Sequence, residues 1–187
     1  MPITDLLERN AREFPNDICL VEINPEIKED RRVTWKEYEL IEPSSKTSYR
    51  REITWGVFNE KANRFANLLI QRGIRKGDKV AILMMNGLEW LPIYFGILKT
   101  GALAVPLNFR YSAEEIEYCV KLAEADFLVF SNPFIGRVEE IADRISKGRL
   151  LIYVGEGCPG FADDYNSLSA NCSSQAPMMI LSDDDDA

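Results

Sequence analysis

The sequence predicts an α/β fold: a mostly parallel sheet flanked by helices, with an N-terminal β-hairpin insertion. Three observations carry this. Short uninterrupted apolar runs start at Lys79, Ala102, Phe127 and Leu150, which are 23, 25 and 23 residues apart. Each interval holds one stretch of apolar residues at helical spacing. The runs are apolar throughout, as strands covered on both faces must be. Right-handed crossovers are therefore expected.

Taken in order, Thr4–Phe14 reads as a short helix with Thr4 as its cap and Leu6, Leu7 and Ala11 on one face. Pro15 and Asn16 stop it, and Cys19–Ile23 reads as a strand. Arg32–Ile41 and Ser48–Thr54 have strand character, and Pro43, Ser44 and Ser45 between them read as a turn, which together predicts a hairpin. Trp55, Phe58, Ala62, Phe65, Ala66 and Leu69 then recur at helical spacing, and Gly73 supplies a C-terminal stop. Lys79–Met84 is the first apolar strand. Asn86–Thr100 is apolar nearly all round, the mark of a buried helix. Pro92 requires that this helix either starts late enough to place Pro92 in its first turn or kinks there.

Ala102–Leu107 is the second strand. Ser112 and Glu115 form a capping box for a helix whose face is Ile116, Cys119, Val120 and Ala123. Phe127–Phe130 is the third strand. Ile135, Val138, Ile141, Ala142 and Ile145 mark a helix stopped near Gly148, and Leu150–Val154 is the fourth strand. A short helix is expected near Asp164–Ser169. These elements divide the chain into an N-terminal helix, strand and hairpin (1–54), an α/β subdomain (55–169), and a linker with an acidic tail (170–187).

Composition excludes several chemistries. The 187 residues include 22 Lys plus Arg, 30 Asp plus Glu and no histidine, a net charge of −8. Ser-His-Asp catalysis, Cys-His catalysis and His-containing zinc sites are excluded within the chain. The acidic balance argues against nucleic acid as a partner. Cys19, Cys119, Cys158 and Cys172 lie far apart and form no CxxC pair. The first residues lack the apolar stretch of a signal peptide, and no apolar run reaches the ~18–20 residues of a membrane span. A cytoplasmic protein with reduced thiols is the expectation.

Gly155-Glu156-Gly157-Cys158-Pro159-Gly160 matches the GxGxxG pattern after a strand. Glu156 would place negative charge beside a pyrophosphate, and no strong helix opens at Gly160, so a plain turn is expected. Asp183–Asp186 reads as a solvated acidic run, because consecutive carboxylates without a loop frame make no metal cage. Glu114/Glu115 and Glu139/Glu140 belong to helix caps and polar faces. Trp35, Trp55 and Trp90 are read as packing residues rather than ligand-stacking ones. The run GALAVPLNFR is more informative. Lys99 suits the end of a buried helix, Gly101 a left-handed cap, and Pro106 the end of strand pairing. Asn108 and Arg110 then emerge at the carboxyl end of a parallel strand, where open α/β sheets place ligands. Arg110 there suits a phosphate or carboxylate; the alternatives are a surface arginine or an ion pair with Glu114 or Glu115.

Leu98–Asn108, LKTGALAVPLN, resembles a core motif of the adenylate-forming acyl-CoA synthetases, often written LKAGxxxVPLN. Arg51–Asn86, with its Gly73, Gly77 and Asp78 turn, resembles the opening block of that family, and the text through Phe130 continues it without gaps. The resemblance implies a fatty-acid–CoA ligase-like enzyme that uses ATP, Mg²⁺ and CoA to convert a carboxylic acid to an acyl thioester. It also implies that Arg110 contacts the CoA nucleotide. The phosphate-binding loop of the family, which usually follows an acidic segment like Ser182–Asp186, and its C-terminal domain have no counterpart here. No catalytic residue maps onto the chain. The expectation is an inactive N-terminal part of such a ligase, partnered by the rest of the same polypeptide, with no tightly bound cofactor. Exposed apolar surface could drive association into a homodimer. The alternative is a stand-alone nucleotide-binding or interaction module.

Overall fold

The structure, a computed structural model, describes residues 2–23, 50–145 and 150–182. The stretch Arg32–Ile41, the turn at Pro43–Ser45, the stop near Gly148 and the run Asp183–Asp186 lie outside the described residues.

The apolar runs become β3 (Lys79–Leu83), β4 (Leu103–Pro106), β5 (Phe127–Ser131) and β6 (Leu150–Val154). A two-residue strand, β7 (Asp163–Asp164), joins them as a fifth, and the order is β4-β3-β5-β6-β7. Every pairing in this sheet is parallel. The sequence showed four strands; β7 escaped because two aspartates carry no strand pattern, and only their register with Ile152 and Tyr153 makes them one.

Alternate residues of each strand serve opposite layers. Val80, Ile82, Val129 and Ile152 face α2 (Trp55–Gln71), α3 (Trp90–Leu98) and α6 (Tyr165–Ala170). Ala81, Leu83, Leu128 and Phe130 face α4 (Ala113–Leu122) and α5 (Ile135–Ile145). Burial of both faces explains why the strands read as unbroken apolar runs.

Helix ends follow the local chemistry. Thr54 caps α2 by accepting from the Val57 amide. At its other end Gly73 lies at φ 88°, its amide donates to Ile70 and the Ile74 amide reaches back to Leu69. That is a Schellman motif, closed by the apolar pair Leu69 and Ile74. Pro92 sits in the first turn of α3, where its missing N–H removes no helical bond. Of the two readings of Pro92, the late start is the one observed. The Ser112–Glu115 capping box is present in full.

The N-terminal part corrects one expectation. The first helix, α1 (Ile3–Glu13), starts before Thr4, and Pro2 occupies the capping position. Thr4 is 3% exposed inside the helix, so it packs rather than caps. The strand β1 (Ile18–Ile23) pairs antiparallel with β2 (Arg50–Thr54). β2 is the described part of the second strand-like stretch, and its neighbour among the described residues is β1. Leu7, Ile53, Phe58 and Ala62 knit α1 and this ribbon to α2.

Candidate functional site

The carboxyl end of β4 collects the residues that the sequence singled out. β4 is an edge strand, so Pro106 lacks a donor where none is needed on the open side. The Leu107 amide makes one last bond to the Ile82 carbonyl, 2.8 Å, and the chain then leaves the sheet. Asn108 folds the next residues into a turn. Its side-chain oxygen accepts from the Arg110 amide at 3.0 Å, and its carbonyl accepts from the Tyr111 amide at 3.1 Å. Ser112 then starts α4.

Arg110 is exposed on this turn, with its guanidinium 5.3 Å from the centre of the Phe109 ring. Phe109 is itself 46% exposed. A cation and an aromatic face therefore stand side by side in water. Among the described residues Arg110 makes no ion pair with Glu114 or Glu115. Glu115 is engaged in the capping box. Hydrogen bonds from its own backbone N–H and from Ser112 hold the Glu114 carboxyl below the usual carboxylate range.

Sequence reasoning missed the residue that secures this turn. Arg137 of α5 donates from one nitrogen, Nη1, to the carbonyls of Phe109 (2.8 Å) and Tyr111 (3.0 Å). Its guanidinium lies 5.7 Å from the centre of the Phe134 ring. A signal existed. Arg137 sits in the first turn of a helix, where the macrodipole disfavours a cation. A cation placed there is best explained by a tertiary partner.

The other marked residues have structural roles. Gly155–Gly160 forms a turn that feeds β7 and not a helix, and the Tyr153 hydroxyl donates to the Glu156 carbonyl at 2.9 Å. Its amides therefore do not form a helix N-terminus for phosphate. Trp90 stacks on Tyr94 and Trp55 on Phe58. Glu139 and Glu140 face solvent on α5. Trp35 lies outside the described residues. Glu89, just before α3, accepts from Lys61 of α2 at 2.5 Å and, at 3.5 Å, from the hydroxyl of Tyr165 of α6. Burial, and then the Glu89 charge, push the Tyr165 hydroxyl far up, so it stays a neutral donor. This set ties three helices together. A cleft of about 470 Å³ lies between β1 and the loop before α3, lined by Val21, Ile23, Asn86 and Trp90 among others. Its carboxylate, Glu22, is already paired with Arg51 at 2.6 Å. Among the described residues no group of three or more His, Cys, Asp or Glu side chains could hold a metal. The four cysteines are free thiols. Among the described residues, no helix is long and apolar enough to cross a membrane.

A parallel sheet covered on both faces, with a cation and an aromatic face on the turn beyond an edge strand, defines an open α/β protein whose candidate site lies at the carboxyl ends of its strands. The chain belongs to the AMP-binding enzyme family, whose model matches residues 42–185. It is 34% identical over 114 residues to a medium/long-chain-fatty-acid–CoA/3-oxocholest-4-en-26-oate–CoA ligase of Mycolicibacterium smegmatis, covering 61% of this chain and 20% of that protein. It is 36% identical over 115 residues to a crotonobetaine/carnitine–CoA ligase of Salmonella typhimurium, covering 61% of this chain and 22% of the relative. The chain thus spans about a fifth of the length of these curated relatives. Its fold matches the anthranilate CoA ligase AuaEII solved with anthranoyl-AMP (TM-score 0.73, 24% identity, 94% of this chain and 30% of that one). It also matches the N-terminal domain of FACL13 from Mycobacterium tuberculosis (TM-score 0.69, 22% identity, 99% of this chain and 40% of that one).

Proposed function

We propose that this chain is part of an ATP-dependent acid–CoA ligase. Such an enzyme converts a carboxylic acid, ATP and CoA to an acyl-CoA, AMP and pyrophosphate through an acyl-adenylate. The observation that carries this reading is the AMP-binding family match over residues 42–185. The names of both curated relatives above include an acid–CoA ligation, with different acids. A fatty acid is the proposed substrate class. The 187 residues by themselves are proposed to be inactive and to act with the rest of a longer polypeptide in the cytoplasm. Self-association as a homodimer through exposed apolar residues such as Met178 and Ile180 belongs to the same reading.

Arg110 is proposed to contact the nucleotide end of CoA. An exposed guanidinium beside an aromatic ring suits a ligand that carries both phosphate and a base. Mg²⁺ is proposed to arrive with the phosphates of ATP, since magnesium is commonly held by one or two carboxylates plus substrate phosphates.

The test measures pyrophosphate release and acyl-CoA formation with ATP, Mg²⁺, CoA and a series of acids. It uses the 187-residue chain and the complete product of its gene. Turnover by the complete product and none by the 187 residues is expected. In the complete product, Arg110→Ala should raise the KM for CoA and leave the adenylation half-reaction near its original rate. A complete product that forms neither acyl-adenylate nor acyl-CoA from any acid would overturn the reading.

A further inference from the structure

We infer that Arg137 is a positioning residue that fixes where Arg110 is presented to a phosphate-bearing ligand. The inference rests on the proposed role of Arg110, and Arg137 itself touches no ligand in it.

The geometry is specific. Arg137 Nη1 bonds the carbonyls of residues 109 and 111, the two on either side of Arg110. The Arg110 amide is held by the Asn108 side chain, and the Tyr111 amide by the Asn108 carbonyl. Polar backbone groups before, at and after Arg110 are thus tied down, although the residue is exposed. A turn on the surface needs no such anchoring, because water satisfies its carbonyls at little cost. The Arg137 guanidinium is steadied in turn against Phe134. Phe134 is buried against the sheet, so the turn is referenced to the core through one side chain. An arginine can do this because its planar fork offers two N–H groups from one nitrogen at fixed angles. With the backbone of the turn held, the Arg110 side chain projects from a defined point over Phe109. Preorganisation of this kind lowers the ordering cost of binding without adding a contact.

The experiment uses the complete product of the gene and four variants of it: Arg137→Met, Arg137→Lys, Arg110→Ala, and the double variant Arg110→Ala/Arg137→Met. Two readouts are taken: hydrogen exchange at the amides of Arg110 and Tyr111, and affinity for CoA by calorimetry. Exchange at the β3 and β5 amides reports whether the fold is intact. Arg137→Met is expected to speed exchange at Arg110 and Tyr111 while β3 and β5 stay protected. It should weaken CoA binding by about tenfold, the size of one lost charged hydrogen bond. Arg137→Lys, which keeps a donor, should restore part of both. In the Arg110→Ala background, Arg137→Met should cost little more, because the two residues act through one interaction.

Unchanged exchange at Arg110 and Tyr111 in Arg137→Met would overturn the inference. So would a CoA loss that adds fully to that of Arg110→Ala, since Arg137 would then act on the ligand independently. If Arg110→Ala binds CoA as tightly as the unaltered complete product, or if the unaltered complete product binds none, presentation of Arg110 to CoA by Arg137 is overturned at its ligand end. The exchange readout then still decides whether Arg137 holds the turn, so failure of the Arg110 reading and failure of the anchoring are distinguished.

Discussion

The ammonium of Lys99, 2% exposed, lies 2.6 Å from the carboxylate of Glu8. Lys99 is the C-terminal cap of α3, and Glu8 lies on α1, 91 positions earlier. Burial lowers the Lys99 ammonium below its usual range, and the hydrogen bond and charge of Glu8, then the charge of Asp5, offset this in part. Glu8 is 41% exposed on its outer side, so the pair is sealed at one end only.

Removing the carboxylate leaves the buried cation without its partner. Glu8→Ala should destabilise the chain, by less than the ~3–5 kcal/mol typical of a fully buried pair, because water reaches the Glu8 side. Lys99→Met, which removes the charge and keeps the volume, should cost less than Glu8→Ala. Urea unfolding of both variants checks the order. The pH dependence has a definite sign. A lysine whose folded-state pKa lies below its unfolded value binds fewer protons when folded. The contribution of Lys99 to stability therefore rises with pH through the window between its lowered folded value and 10.5, and Lys99→Met should abolish that rise.

Gly96 is the contact point of α3 with α2. A Cβ there would stand 2.9 Å from the Ala62 carbonyl oxygen and 2.9 Å from Cδ1 of Phe65. The first of these is helix backbone, which cannot yield without separating the helices. Gly96→Ala should cost about 1–3 kcal/mol by overpacking, against the small gain that alanine normally brings to a helix. A lowered denaturation midpoint with an unchanged slope would agree with this; a raised midpoint would refute it.

Ser112 closes the capping box of α4. Its hydroxyl accepts from the Glu115 amide at 3.3 Å, and Glu115 accepts from the Ser112 amide at 2.8 Å. Ser112→Ala should cost about 0.5–2 kcal/mol, and Ser112→Asp should recover most of it. Thermal melts of the two variants check this.

α2 clasps the chain after α6. Asn63 donates to the Ser174 carbonyl, Asn67 to those of Ser173 and Gln175, and Arg64 to those of Ala170 and Cys172. Carbonyls are independent of side-chain identity, so Ser174→Ala should stay within about 0.5 kcal/mol of the unaltered chain. Asn67→Ala should lose about 1 kcal/mol per bond and speed amide exchange over residues 173–175. Equal effects of Ser174→Ala and Asn67→Ala would show that the clasp does not act through carbonyls.

The sequence by itself determined the elements whose signals are local. Strands β3, β5 and β6 were legible because burial on both faces makes every residue apolar, whichever neighbours they have. α2, α4 and α5 were legible because 3.6-residue spacing, Gly73 and the Ser112–Glu115 pair act within a few residues. Arg110 was legible as a residue at a strand end. Only the tertiary structure decided the rest. Apolar runs do not encode strand order, so the place of β3 between β4 and β5 had to come from packing. The pairing of β1 with β2, the burial of Lys99 and the clasp on residues 170–175 each join positions far apart in the chain, Ile23 with Arg50 being the nearest such pair, and no periodicity spans that distance. Arg137 is the clearest case. Its own helix gives no reason for a cation there, and its purpose exists only where α5 passes the turn that carries Arg110.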